Sequence, residues 1–311
     1  MTIYALKRLF FALFVSLGAV TIIFIAIRVM PGDPAELLVD PTQSGERVDE
    51  LRESLGLNDP IYVQYVDYLG GVLRGDFGES YRYHKPAFDL VLNRFPATVQ
   101  LATTAMLLAI LVSFPIGLIA GTRPRSKTDL TLTTGSLITQ SLPEFWVGIV
   151  LSLIFARTLG VLPTSGNGTL AHLVLPAVAL SLPFIGMLIR LVRAGTVETM
   201  SSDFVRTARS KGITQRAIVW FHAFRNMLIP VTTMVGLQFG KVLSGSVIVE
   251  TVFGWPGVGR LLIDAISSRD YPVIQAALAF ITLIFIAINL IVDLSYGIID
   301  PRLRREFRKG N

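Results

Sequence analysis

Six runs of about twenty or more mostly apolar residues divide this 311-residue chain: Leu9–Met30, Ala97–Gly121, Leu130–Ala156, Leu170–Ile189, Met227–Val249 and Tyr271–Val292. The hydrocarbon core of a bilayer is about 30 Å thick and takes roughly 20 helical residues to cross. Each run therefore reads as a transmembrane helix. Charge within them is sparse: Arg28 near the end of the first, Glu144 in the third, Lys241 in the fifth and none in the other three. The expected fold class is an all-α membrane protein with six transmembrane helices.

Composition agrees. Charged residues make up 16% of the chain and hydrophobic ones 52%, with a mean hydropathy of +0.60, whereas soluble domains carry about 25% charged residues. Of the 50 Lys, Arg, Asp and Glu residues, 18 fall between Pro31 and Arg94. This pattern excludes a disordered chain and a water-soluble enzyme. The lack of cysteine excludes a disulfide scaffold, thiol catalysis and cysteine-ligated metal centres. Lys7 and Arg8 ahead of the first run imitate a signal peptide, but that run is too long. It ends in Val29, Met30 and Pro31 rather than in small residues, so it reads as a retained helix.

The net charge of +6 reports orientation, since cytoplasmic loops of membrane proteins are enriched in Lys and Arg. With the N-terminus inside, the inner segments hold 17 basic residues and the two short outer loops hold three, Arg157, Arg260 and Arg269. Both termini of this multi-pass protein are thus expected on the cytoplasmic side of the membrane. The expected organisation is an N-terminal helix over 1–30, an outer helical segment over 31–96, a five-helix core over 97–298 with an inner connector at 194–226, and a basic tail over 299–311.

In the outer segment, helical spacing recurs in Val48, Leu51 and Leu55, in Ile61, Tyr65, Leu69 and Val72, and in Phe88, Val91, Leu92 and Phe95. Three short amphipathic helices follow. They serve equally well as a structural cap or as a docking surface for an outer partner. In the inner connector, Asp203 to Lys211 forms a short helix that Gly212 stops, and Thr214 caps a second helix running towards Phe224. Asn226 and Pro230 fall near the start of the fifth run. Such an element, held at both ends by spans, suits a rigid lever.

Other patterns fail on context. Gly121 to Thr128 imitates a phosphate-binding loop but lacks the preceding strand and contains Pro124. His84, His172 and His222 lie on both sides of the membrane, which denies a shared metal site. A basic helix–turn–helix at 203–224 imitates a DNA reader, yet spans tether it at both ends, so no nucleic acid is expected. No catalytic constellation and no metal site emerge. Glu144 and Lys241 are each the fifteenth residue of their runs, at mid-depth, where lipid exposure would cost about 2.5–3.5 kcal/mol. They pair with each other or line a path with Gln140, Gln238 and Ser244.

At the connector the chain resembles a known family. Phe204-Val-Arg-Thr-Ala-Arg-Ser-Lys-Gly-Ile-Thr followed by Phe224-Arg-Asn-Met-Leu-Ile-Pro230 is similar to the EAA loop of ABC-importer permeases, in the dipeptide/oligopeptide branch. Arg206 and Thr207 stand where other branches have the Glu and Ala that name the loop. Further matches are Pro31-Gly-Asp-Pro34, Leu55-Gly-Leu57, Arg74-Gly-Asp-Phe-Gly78, Pro143-Glu-Phe-Trp146, Trp255-Pro-Gly-Val-Gly-Arg260, Arg269-Asp-Tyr-Pro272 and Asp300-Pro-Arg302. The resemblance implies a type I (MetI-like) importer permease fold, a homologous second permease, two cytoplasmic ATPases that carry the ATP and Mg, and an extracytoplasmic solute-binding protein. It implies no cofactor in this chain. It assigns ATPase coupling to Asp203, Phe204, Arg206, Thr207, Ala208, Arg209, Lys211 and Gly212. Cargo stays open among dipeptide, oligopeptide, glutathione, opine and nickel chelate. The competing class is an autonomous channel or secondary transporter, which calls for relay carboxylates and internal repeats; Glu144 is the one mid-run acid, and no repeat is visible.

Overall fold

The computed structural model describes residues 2–29, 45–54 and 56–299. The motifs Pro31–Pro34 and Asp300–Arg302 and the basic tail lie outside them. The described residues are helical apart from turns and one isolated bridge between Glu79 and Pro86. Helix α1 (Thr2–Val29) buries Val20, Ile23, Phe24 and Ile27, one face at helical spacing, against α13 (Tyr271–Ile299). Leu9, Phe10, Phe11, Leu13, Phe14, Leu17, Ile22 and Ile25 leave exposed apolar surface, as a lipid-facing helix requires. Arg28 is turned back onto protein: its guanidinium lies 4.7 Å from the Phe24 ring, and Nε donates to Gln64 Oε1 at 2.8 Å.

The segment expected on the outer side gives α2 (Gly45–Ser54) and α3 (Ile61–Arg74). The third expected outer helix is not separate. It forms the start of α4 (Ala87–Thr122), which runs across residues 96 and 97 without a break despite Pro96. At 36 residues and 1.5 Å per residue, α4 is roughly 54 Å long. Its main partner is α7 (Leu170–Met200). A Cβ on Gly117 would lie 2.6 Å from Val192 Cβ, and one on Gly121 2.5 Å from Thr196 Cβ. Both positions must be glycine for the helices to approach this closely.

The third expected span is also not one helix. Ser126 caps α5 (Lys127–Ser141), accepting from the Asp129 N–H at 3.1 Å. Leu142 is extended (φ −79°, ψ 130°), as the residue before a proline prefers. The chain then turns by 99° into α6 (Glu144–Leu151), which continues as a π-helix over Ser152–Thr158. Glu144 is therefore at a helix start, beside a bend, rather than at the middle of a straight span.

After α7 come α8 (Asp203–Ser210), the turn α9 (Gln215–Ala217), a π-helical stretch Ile218–Ala223, and α10 (Phe224–Gly245). The fifth expected run is broken as well: α10 ends at Gly245, and α11 (Val247–Val252) follows. Helix α12 (Val258–Ser267) precedes α13. Among the described residues, four helices, α1, α4, α7 and α13, are long and apolar enough to cross a membrane, or five if α5 and α6 with its π-helical extension count as one bent span. Helix α10 carries Arg225, Asn226, Gln238 and Lys241 among its apolar residues.

Candidate functional site

Helix α8 is short, and its ending is fully specified. The Gly212 N–H donates to Arg209 O at 3.0 Å and the Ile213 N–H to Ala208 O at 3.2 Å. These are the two bonds of a Schellman stop, whose pivot residue takes a left-handed conformation. Gly212 takes it, with φ 77°. Thr214 then opens the next helix by accepting from the Ala217 N–H. Residues 215–245 follow as one helical run through the π-helical stretch.

Val205, Ala208 and Ile218 form a small buried cluster, with Met200 against it. This underside fixes which side chains face out. Asp203, Phe204, Arg206, Thr207, Arg209 and Lys211 are exposed. Ala208, expected among the contact residues, is 8% exposed and supports the helix from beneath. The exposed face thus presents one aromatic ring, 44% exposed, among three cations and one acid.

The expected path residues are divided between two sides of α7. Glu144 is half-buried at the start of α6, and Gln140 is half-buried near the end of α5. Gln238 is buried on α10, and its Nε2 donates to Met187 Sδ at 2.8 Å. Lys241 is exposed on α10, and the side chain of Ser244 lies outside the described ones. A Cβ on Gly186 would lie 3.3 Å from the Gln140 backbone N. Gly186 and Met187 are adjacent, so α5 and α10 meet α7 at one level.

Three polar clusters escaped the sequence reading. Where the start of α5 meets the C-terminal part of α7, Asp129 pairs with Arg193. At the start of α12, Glu250 is fully buried and accepts from Thr98 Oγ1 at 2.7 Å, Ser246 Oγ at 3.0 Å and the Arg260 N–H at 3.1 Å. Ahead of α13, Asp270 accepts from Ser80 Oγ at 2.5 Å and the Tyr81 N–H at 3.2 Å, so Arg269–Pro272 is bound to the turn that follows Arg74–Gly78. Burial, and then the Asp270 charge, push the Tyr81 phenol up to about 12, so it stays neutral beside the carboxylate. Each cluster joins an acid to partners far off in sequence, and none has a local signal beyond a lone acid next to an apolar run.

Comparison with known proteins places this architecture. Residues 113–305 match the family described as "Binding-protein-dependent transport system inner membrane component", and residues 1–102 match its companion N-terminal family. The chain is 39% identical over 312 residues to the probable peptide ABC transporter permease protein y4tP of Sinorhizobium fredii, covering 98% of this chain and 100% of that one. It is 40% identical to the glutathione transport system permease protein GsiC of Salmonella choleraesuis, covering 97% and 98%. To the oligopeptide transport system permease protein AppB of Bacillus subtilis it is 37% identical, covering 97% and 99%. Among solved structures, the MetNI methionine ABC transporter matches in fold with a TM-score of 0.52 at 16% identity, over 66% of this chain and 95% of that one. The chain belongs to the binding-protein-dependent transport system inner membrane component family, as a multi-pass permease of the peptide ABC-importer type.

Proposed function

We propose that this chain forms half of the translocation path of an ATP-driven peptide importer, crosses the membrane six times with both termini inside, and couples to a cytoplasmic ATPase through α8. The observation that carries this reading is the exposed face of α8, set on its own buried cluster at the junction of α7 and the 215–245 helical run. A short helix of this kind fits a groove on a partner, with Phe204 as anchor and Arg206, Arg209 and Lys211 meeting acidic groups. A push on α8 then reaches α7 at one end and α10 at the other, which is the requirement for alternating access. The outer segment and the 251–271 loop are the docking surface for the solute-binding protein, and a homologous permease completes the path. A di- or oligopeptide or glutathione-like cargo follows from the three relatives.

Co-purification tests this directly. The ATPase encoded with this chain should come down with it and be lost in Phe204→Ala combined with Arg206→Glu. A chain that transports with no ATPase bound would be an autonomous carrier instead.

The path residues carry a second test. Glu144→Gln and Lys241→Met should each cut uptake about tenfold, equivalent to about 1.4 kcal/mol of contact with a charged cargo, with assembly intact. Full recovery in the double variant would identify a dispensable ion pair, not a path.

A further inference from the structure

The start of α5 and the C-terminal part of α7 are locked by one buried carboxylate. The Asp129 side chain is 4% exposed and that of Arg193 29%. Arg193 donates to it twice, from Nε to Oδ1 and from Nη2 to Oδ2, the latter at 2.7 Å. The Arg125 N–H adds a bond of 2.8 Å and Thr133 Oγ1 one of 3.2 Å. The stretch that imitates a phosphate loop is what seats this aspartate, with Arg125 left-handed at φ 65° and Ser126 capping the Asp129 N–H.

This joint sits between the two halves of the site described above. Arg193 lies seven residues before α7 ends at Met200, roughly 10 Å along the axis, and α8 begins at Asp203. Asp129 lies 11 residues before Gln140 on α5. Apolar contacts between helices slide, but a two-point guanidinium fork on a carboxylate holds one geometry. The second attachment is at Gly186, where a Cβ would lie 2.3 Å from Ser136 O. With two attachments α5 and α7 move as one body.

We propose that Asp129 and Arg193 are positioning residues for coupling, the joint through which displacement of α8 reaches α5 and the bend that carries Glu144. This rests on the reading of α8 as the ATPase contact. The test uses the complete complex in liposomes, with its ATPases and binding protein. Asp129→Asn keeps the shape but weakens the fork, and Arg193→Lys keeps the charge but loses it. Both should assemble and hydrolyse ATP at the basal rate, while cargo taken up per ATP falls about fivefold, the low end of typical coupling effects, with Arg193→Lys the milder. Unchanged uptake per ATP in Asp129→Asn would overturn the proposal. So would failure of both variants to assemble, which would make the pair a folding element. If the unaltered chain does not bind its ATPase, the reading of α8 falls first, and that result is separable from the other two.

Discussion

Gly212→Val is expected to leave the chain inserted in the membrane and to cut ATP-driven uptake by about a hundredfold, within the range that one coupling free energy of 1–3 kcal/mol covers. The penalty is conformational. A Cβ at this position meets nothing within 4 Å, yet the backbone is at φ 77°, a region that costs an L-residue roughly 1–2 kcal/mol and is worse still for a β-branched one. Relaxing the pivot breaks the bonds from Gly212 to Arg209 and from Ile213 to Ala208. Val205 and Ala208 then leave Ile218, and the exposed face of α8 loses its fixed direction. Gly212→Asn is the control, because Asn tolerates the left-handed region; it should transport nearly as well as the unaltered chain. Normal cargo-stimulated ATP hydrolysis and uptake in the valine variant would reject this account.

The contrast between α8 and the spans shows what was legible in the sequence. The α8 stop and the Thr214 cap depend on bonds within a few residues, so glycine and threonine at the right spacing sufficed. The helical class and the spans of α1, α4, α7 and α13 were legible too, because apolarity is a property of each run by itself. Prolines were not. Pro96 stays inside α4 while the chain bends at Pro143, and the residue type is the same. At Pro96 the adjoining turn is held from elsewhere: Trp255 Nε1 donates to Ala97 O at 2.8 Å, and Thr98 bonds Glu250. Those partners are more than 150 residues away in the chain. Asp129 with Arg193 and Ser80 with Asp270 were hidden for the same reason, since a bond across the fold leaves no local pattern.

Glu250→Ala should lower the stability of the assembled protein by roughly 2–4 kcal/mol, the sum of a stranded buried donor and a small cavity. Helix α12 begins after Gly257, which has no side chain to cap it. The missing acceptors come from two other helices: Thr98 Oγ1 accepts from the Val258 N–H at 2.9 Å, and Glu250 Oε2 accepts from the Arg260 N–H. A carboxylate in this place also faces the positive end of the α12 dipole. With alanine at 250, the Thr98 and Ser246 hydroxyls can rotate to other acceptors, but the Arg260 N–H cannot. Glu250→Gln should be much milder, because the amide oxygen can take the Arg260 N–H while the two hydroxyls reverse and accept from its NH₂ group. Gly257→Ala should resemble the alanine variant, since a Cβ there would lie 2.3 Å from the Glu250 carboxyl carbon and evict the carboxylate from its donors. Thermal unfolding in lipid nanodiscs should place Glu250→Ala and Gly257→Ala roughly 5–10 °C below the unaltered chain, with Glu250→Gln between. An unchanged midpoint in Glu250→Ala would mean that the cap contributes nothing and that α12 is held by its apolar face on α4 and α13 alone.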